Sequence, residues 1–199
     1  LDQDRIDYCL GRALDFDKPD PAWVFVRQGA DVDRAIPWFL NRTHLMKAIA
    51  EHCDEHLLEA MIKLSANLEK ADDEGSTPYC YAIRFGNNQA ARCLEANGAD
   101  TTKAGPLYFL GQACMHNDAD RARELVSNHP EILGQFDSRL PTQAVRLNRS
   151  DALTLMFELG VSIDPEQEMP ALHSAAYWGQ LDMVKHLVSL GASLTELNN

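Results

Sequence analysis

Few residues in this chain have the types and spacing to do chemistry. The run His52-Cys53-Asp54-Glu55-His56 sets two histidines four apart with a thiol between them. On one helix face that spacing brings two imidazoles together, and imidazole and thiolate are ligands that zinc prefers. A structural zinc site needs four ligands, and no other cluster supplies a clearly paired fourth. The run is read as an exposed polar turn, and no metal or other cofactor is expected. Asp72-Asp73-Glu74-Gly75 has the acidic look of a calcium loop but lacks the twelve-residue ligand spacing. It too reads as a turn. Ser174 stands beside His173 with no acid–base partner suggested by spacing, and no glycine-rich phosphate loop follows a strand. No catalytic residue is assigned, and the chain is not expected to be an enzyme.

The elements that would position such residues follow a period. Ala13, Ala48, Ala82, Ala113, Ala144 and Ala175 recur at intervals of 35, 34, 31, 31 and 31 residues. Sixteen residues after four of them stands a glycine: Gly29, Gly98, Gly160 and Gly191. A fixed period in this range means a stack of similar supersecondary units, each buried against its neighbours. The last unit is the clearest. Leu172, Ala175 and Ala176 share one side of a short helix, Gly179 breaks it, and Met183, Val184, Leu187 and Val188 repeat as the apolar stripe of a second. Gly191 then sits where a helix ends in a left-handed conformation that costs glycine nothing. Alanine suits the first helix because two antiparallel helices approach closely only where one presents small side chains.

Thr77-Pro78-Tyr79-Cys80-Tyr81-Ala82 with Gly98-Ala99-Asp100, Ala171-Leu172-His173-Ser174-Ala175-Ala176 with Gly191-Ala192, and Gly29-Ala30-Asp31-Val32-Asp33 resemble ankyrin repeats. The texture is similar to that of divergent bacterial ankyrin proteins. The resemblance implies an all-α solenoid of about six helix-turn-helix repeats with short hairpin fingers. Their approximate bounds are 1–40, 41–75, 76–106, 107–138, 139–169 and 170–199, all in one repeat domain. It also gives His173 a structural role, bonding backbone near the fingers. The second and fourth units are degenerate. In the second, Ser65 replaces the glycine one residue late, which predicts an extra residue between its helices. In the fourth, His129-Pro130 stands at the glycine position.

Composition narrows the function. The formal charge is −12, with ten acidic against four basic residues in 51–100 and seven against one in 151–199, or −6 in each stretch. Such a surface repels phosphate backbones and anionic lipids, so neither nucleic acid nor a membrane is expected as partner. A basic patch on a protein suits it, and simple solubility explains it about equally well. Five cysteines without a disulfide framework read as buried reduced thiols of a cytoplasmic protein, and a monomer is expected. No signal peptide or apolar span is visible, although a chain opening on Leu1 is expected to be part of a longer one.

In the ankyrin resemblance the first helices line a concave side, with exposed faces two and three residues past the repeating alanine. Those places hold Asp15-Phe16, Ala50-Glu51, Arg84-Phe85, Met115-His116, Arg146-Leu147 and Tyr177-Trp178. The last four pairs are the candidate partner-binding residues, because Tyr, Trp and Arg dominate binding hot spots. The connection from glycine or its equivalent to the next alanine takes 17 residues from Ser65 to Ala82. It takes only 15 from Gly98, His129 and Gly160, so later fingers project less. The first, from Gly29 to Ala48, takes 19 and carries an apolar bulge, Ala35-Ile36-Pro37-Trp38-Phe39-Leu40, expected to cover the stack. The expected function is a non-catalytic scaffold binding a protein or peptide in the helical groove. The alternative is a regulatory or targeting arm of an enzyme whose catalytic domain lies outside these residues.

Overall fold

The computed structural model describes residues 2–15, 19–36, 40–65, 67–162 and 171–192. They form an all-α chain of paired helices with a single two-stranded hairpin among the described residues. The pairs are α1 (Gln3–Asp15) with α2 (Pro19–Arg27), α3 (His44–Ala50) with α4 (Glu55–Leu64), and α5 (Pro78–Arg84) with α6 (Asn88–Ala96). Then follow α7 (Pro106–Met115) with α8 (Ala119–Asn128), α9 (Arg139–Arg146) with α10 (Ser150–Glu158), and α11 (Ala171–Tyr177) with α12 (Leu181–Ser189). The chain groups into two compact units, Leu1–Gly105 and Pro106–Asn199, with three pairs in each. In the first unit α3 packs on α1 and α5 while α4 packs on α2 and α6, giving two helical layers. In the second, α9 packs on α10 and α11, and α7 on α8 and α10. No described helix is long and apolar enough to cross a membrane.

The second and third repeats begin on a threonine cap, and five of the six repeats turn on their alanine among the described residues. Thr43 Oγ1 accepts from the Met46 amide at 3.1 Å, and Thr77 Oγ1 from the Cys80 amide at 3.4 Å, with Pro78 at the first helical position. The six repeating alanines are all buried, four of them completely. A larger side chain at so buried a place would have to push its neighbours apart. The alanine carbonyl also closes the turn. It accepts from the amide five residues on, at 3.1 Å for Ala48–Cys53, 2.8 Å for Ala82–Asn87, Ala113–Asp118 and Ala144–Arg149, and 2.9 Å for Ala175–Gln180. The residue before each of these donors is left-handed. His52, Asn117 and Asn148 take φ of 50°, 55° and 53°, where glycines stand in the other two turns. Asparagine tolerates that region better than most residues.

The second helices differ more. Asp54, Asn87 and Asp118 cap α4, α6 and α8 by accepting the amides of Leu57, Ala90 and Arg121 at 3.1, 3.0 and 3.1 Å. Arg149 and Gln180 stand at the same place before α10 and α12 and make no side-chain cap. The second repeat carries the extra residue that its late Ser65 predicts: four residues separate α3 from α4, against three in the other described turns. Gly98 ends α6 at φ 88°, and Ala99 donates to the Leu94 carbonyl at 3.0 Å. Ser65, with φ −65°, and His129, with φ −139°, end their helices without a left-handed residue.

The connections vary as well. Ala35–Ile36 (β1) pairs antiparallel with Arg42–Thr43 (β2), and residues 37–39 of the apolar bulge lie outside the described residues. The shortened connections instead form 3-10 turns at Thr101–Lys103 and Pro130–Gln135. All five cysteines are free thiols; Cys53, Cys80 and Cys114 are buried and Cys9 and Cys93 half-buried.

Gly98 offers a clean test of the left-handed stop. A Cβ placed there meets nothing within 4 Å, so Gly98→Ala suffers only the backbone penalty. Urea denaturation should show it destabilised by about 1–2 kcal/mol. Gly134→Ala, equally uncrowded and without a left-handed φ, should be neutral or stabilising by up to about 1 kcal/mol. Equal effects at the two positions would remove the left-handed stop as the reason for glycine.

Candidate functional site

In the second unit, the candidate residues lie where the first helices run into their turns. Tyr177 ends α11 and Trp178 opens the turn beyond it; they are 65% and 40% exposed. Their rings meet edge to face with centroids 5.2 Å apart. The guanidinium carbon of Arg146, at the end of α9, stands 5.6 Å from the Trp178 ring centroid, a cation–π distance. Leu147 is half-buried beside it in sequence, and His116, just past α7, is exposed. The repeats are fixed to one another here by Arg149, whose Nη1 donates to the Met115 carbonyl at 2.9 Å. Thr154 Oγ1 and His186 Nε2, 3.0 Å apart, join α10 to α12 in the same way.

Arg84, Phe85 and Met115 do not belong to an exposed ladder. They are 5%, 3% and 2% exposed. The connection before α5 folds over Arg84, so that its Nη2 donates to Ser76 Oγ at 3.3 Å and its Nη1 lies 3.8 Å from Glu74. Its carboxylate partner is thus internal. Phe85 packs its ring 5.6 Å from that of Tyr81, and its carbonyl lies 2.8 Å from His52 Nε2. The Met115 side chain is fully covered. Of the earlier pairs, Phe16 and the side chain of Asp15 lie outside the described residues.

The other sequence candidates are absorbed by the fold. In the His52–His56 run, His52 bonds the Phe85 carbonyl, Cys53 is buried, Asp54 caps α4 while still exposed, and Glu55 and His56 face solvent. Among the described residues no three His, Cys, Asp or Glu side chains converge in a metal-binding group. Ser174 is buried, and His173 keeps a buried Nδ1 with no hydrogen-bond partner, so the bond to finger backbone is not made from that atom.

One polar cluster escaped the sequence reading. Asp72 is buried and accepts from the Glu74 and Ser76 amides at 3.0 and 2.9 Å and from the Tyr81 hydroxyl at 2.8 Å. Arg42, also buried, lies 3.7 Å from the same carboxylate. The guanidinium carbons of Arg42 and Arg84 stand 5.8 and 5.9 Å from the Tyr81 ring centroid. Burial, with the Asp72 carboxylate, pushes the Tyr81 hydroxyl well above the ordinary tyrosine range despite both arginines. Asp72 is therefore a structural pin: it holds the second connection onto α5.

With this geometry in place, residues 168–199 match the family model described as the ankyrin repeat. The chain is similar to the human ASB11 ankyrin repeat domain at 19% identity and a TM-score of 0.45, over 95% of this chain and 86% of that one. It is also similar to a chain in the complex of the Bd0816 predatory endopeptidase from Bdellovibrio bacteriovorus with immunity protein Bd3460. There the identity is 16% and the TM-score 0.44, over 91% of this chain and 97% of that one. Neither likeness bears on function. No curated protein matches. The match covers the last repeat, and helix pairs of the same build precede it.

Burial also sets an alkaline limit on stability. It pushes the Cys114 thiol up to about 12, so the folded chain keeps its proton where an unfolded thiol, near 8.5, has lost it. The stabilisation is complete below that unfolded value and is lost as pH rises toward 12, at about 1.4 kcal/mol per pH unit. Urea unfolding between pH 8 and 11 should therefore give a flatter decline for Cys114→Ala than for the wild type. Parallel declines would show that the thiol is not protected.

Proposed function

We propose that this ankyrin-repeat chain is a non-catalytic binding scaffold that holds a protein or peptide on the surface formed by the turns after α7, α9 and α11. Ankyrin repeats generally bind proteins, and the residues carried forward for this surface are His116, Arg146, Leu147, Tyr177 and Trp178. The observation that carries the reading is the exposure of Tyr177 and Trp178, while the equivalent Arg84 and Phe85 of the third repeat are covered. A large aromatic pair left in solvent is costly unless a partner covers it. Burying each such side chain contributes roughly 1.5–3 kcal/mol, and Tyr, Trp and Arg are the residue types richest in hot spots. After the costs of association, a few such anchors support about micromolar affinity. Arg146, already stacked on Trp178, presents its charge beside the apolar contact and suits a carboxylate next to an apolar side chain. The net charge of −12 favours a partner whose remaining surface is basic and disfavours nucleic acid.

Peptides selected on the wild-type chain from a random display library test this directly. They should lose at least tenfold in affinity on the Tyr177→Ala/Trp178→Ala double variant. They should keep their affinity on Val24→Ala, which trims another exposed apolar side chain elsewhere. Selected peptides that bind all three proteins equally would remove this surface from consideration.

A further inference from the structure

The third repeat ends α6 on an Asn-Gly step. Of the ten asparagines in the chain, only Asn97 is followed by glycine. That pairing has a chemistry of its own. A backbone amide nitrogen can attack the side-chain carboxamide of the residue before it, and a Cβ on the attacking residue obstructs the approach. Glycine has none. Asparagine counts among the thermolabile residues, and this is its least hindered setting. Asn97 and Gly98 are both exposed, so water reaches the step.

In the folded chain the reacting atoms are held apart. Asn97 has ψ 11°, which turns the Gly98 nitrogen well away from Cβ. A five-membered ring needs the two nearly eclipsed across the Cα–C bond. The Gly98 amide donates to the Glu95 carbonyl at 3.0 Å, and Asn97 Nδ2 donates back along the helix to the Cys93 carbonyl at 2.7 Å. The chain beyond is held too. Ala99 is buried and donates to the Leu94 carbonyl at 3.0 Å. The Asp100 amide donates to Glu69 Oε1 at 2.7 Å, and Lys103 Nζ donates to the other oxygen of Glu69 at 2.9 Å. Glu69 stands in the connection before α5, so a contact between the second and third repeats keeps the step closed.

We infer that Asn97 is a self-modification site, closed while these two repeats stay joined and opened when their junction loosens. With Gly98 released, its nitrogen gives a proton to solvent base and attacks Asn97 Cγ. The N–Cγ bond forms, the Cγ–Nδ2 bond breaks, and Nδ2 leaves as ammonia, taking a proton back from solvent. Water then opens the cyclic imide at either carbonyl. Opening at Cγ leaves aspartate at position 97. Opening at the backbone carbonyl leaves isoaspartate, with the main chain routed through the side chain. The net change is amide plus water to carboxylic acid plus ammonia, with no oxidant or reductant. The product works against its own repeat. A carboxylate at 97 cannot donate to the Cys93 carbonyl, and it puts negative charge at the C-terminal end of α6, where the helix dipole is already negative. The site lies wholly within the first unit and is independent of the Tyr177–Trp178 surface.

Peptide mapping of the full chain, kept in warm, mildly alkaline buffer with and without urea, tests this by mass and by isoaspartate content. In urea Asn97 should convert first among the asparagines, to a mixture of aspartate and isoaspartate. In the folded chain the same conversion should be roughly tenfold slower or more, because it waits on local opening. Glu69→Ala frees Asp100 and leaves the Asn-Gly step intact. It should speed conversion in the folded chain about fivefold, the factor that one lost hydrogen bond contributes to an opening equilibrium. Asn97→Asp should unfold at lower urea than the wild type at neutral pH, and the gap should narrow in acid, where the carboxyl is protonated. The inference is overturned if another asparagine converts first or none converts in urea, or if folded and unfolded chains convert alike. It is equally overturned if Glu69→Ala leaves the rate unchanged or Asn97→Asp is as stable as the wild type.

Discussion

The alanine carbonyl near the end of the first helix is the hinge of the second to sixth repeats. It takes the amide five residues later, and this fixes the reversal that lays the second helix against the first. Two requirements follow. The alanine sits buried where the two helices of its pair pack, so a larger side chain there would displace its neighbours, and the residue before the donor must accept a left-handed backbone. The same corner carries the stitching between neighbouring repeats. Asn87 Nδ2 donates to the Ile49 carbonyl at 3.0 Å, and Arg149 Nη1 to that of Met115. A change at the corner therefore acts on a repeat and on its attachment together.

Whether the side chains just past the hinge are available to a partner depends on what lies over them. In the third repeat the preceding connection is pinned by Asp72, and Ser76 and Glu74 close over Arg84. Arg84 becomes part of the interior. In the fifth repeat Arg146 reaches the Trp178 ring of the sixth and stays half-buried at the surface. Equivalent positions in the period thus have opposite fates. The polar residues of the connection decide between them, not the helix.

This explains what could be read from the sequence and what could not. The period, the Thr77-Pro78 start, the Gly98 stop and the extra residue before Asp54 were legible because each depends on the identity of a single side chain at a fixed offset. The left-handed Asn117 and Asn148 carried a usable signal, lying four residues past their alanines, where Gly86 and Gly179 stand in other repeats. The burial of Arg84 had no local signal, since it depends on Ser76 and Glu74 eight and ten residues earlier folding back. Nor did the close approach of α1 to His44, where a Cβ on Gly11, 33 residues away on another helix, would stand 3.1 Å from Nε2. Spacing arithmetic places a residue on a face, but only tertiary contact decides whether that face is free.

The two uncapped helix starts in the second unit have a mechanical meaning. Arg149 and Gln180 offer no oxygen to the first amides of α10 and α12, unlike Asp54, Asn87 and Asp118 in the earlier repeats. Such a start frays more readily. Trp178 lies three residues before α12, so the aromatic pair rides on a joint with an uncapped helix start. Any molecule that grips it must also still that joint, so part of its grip is spent on damping motion and association carries an unfavourable entropy.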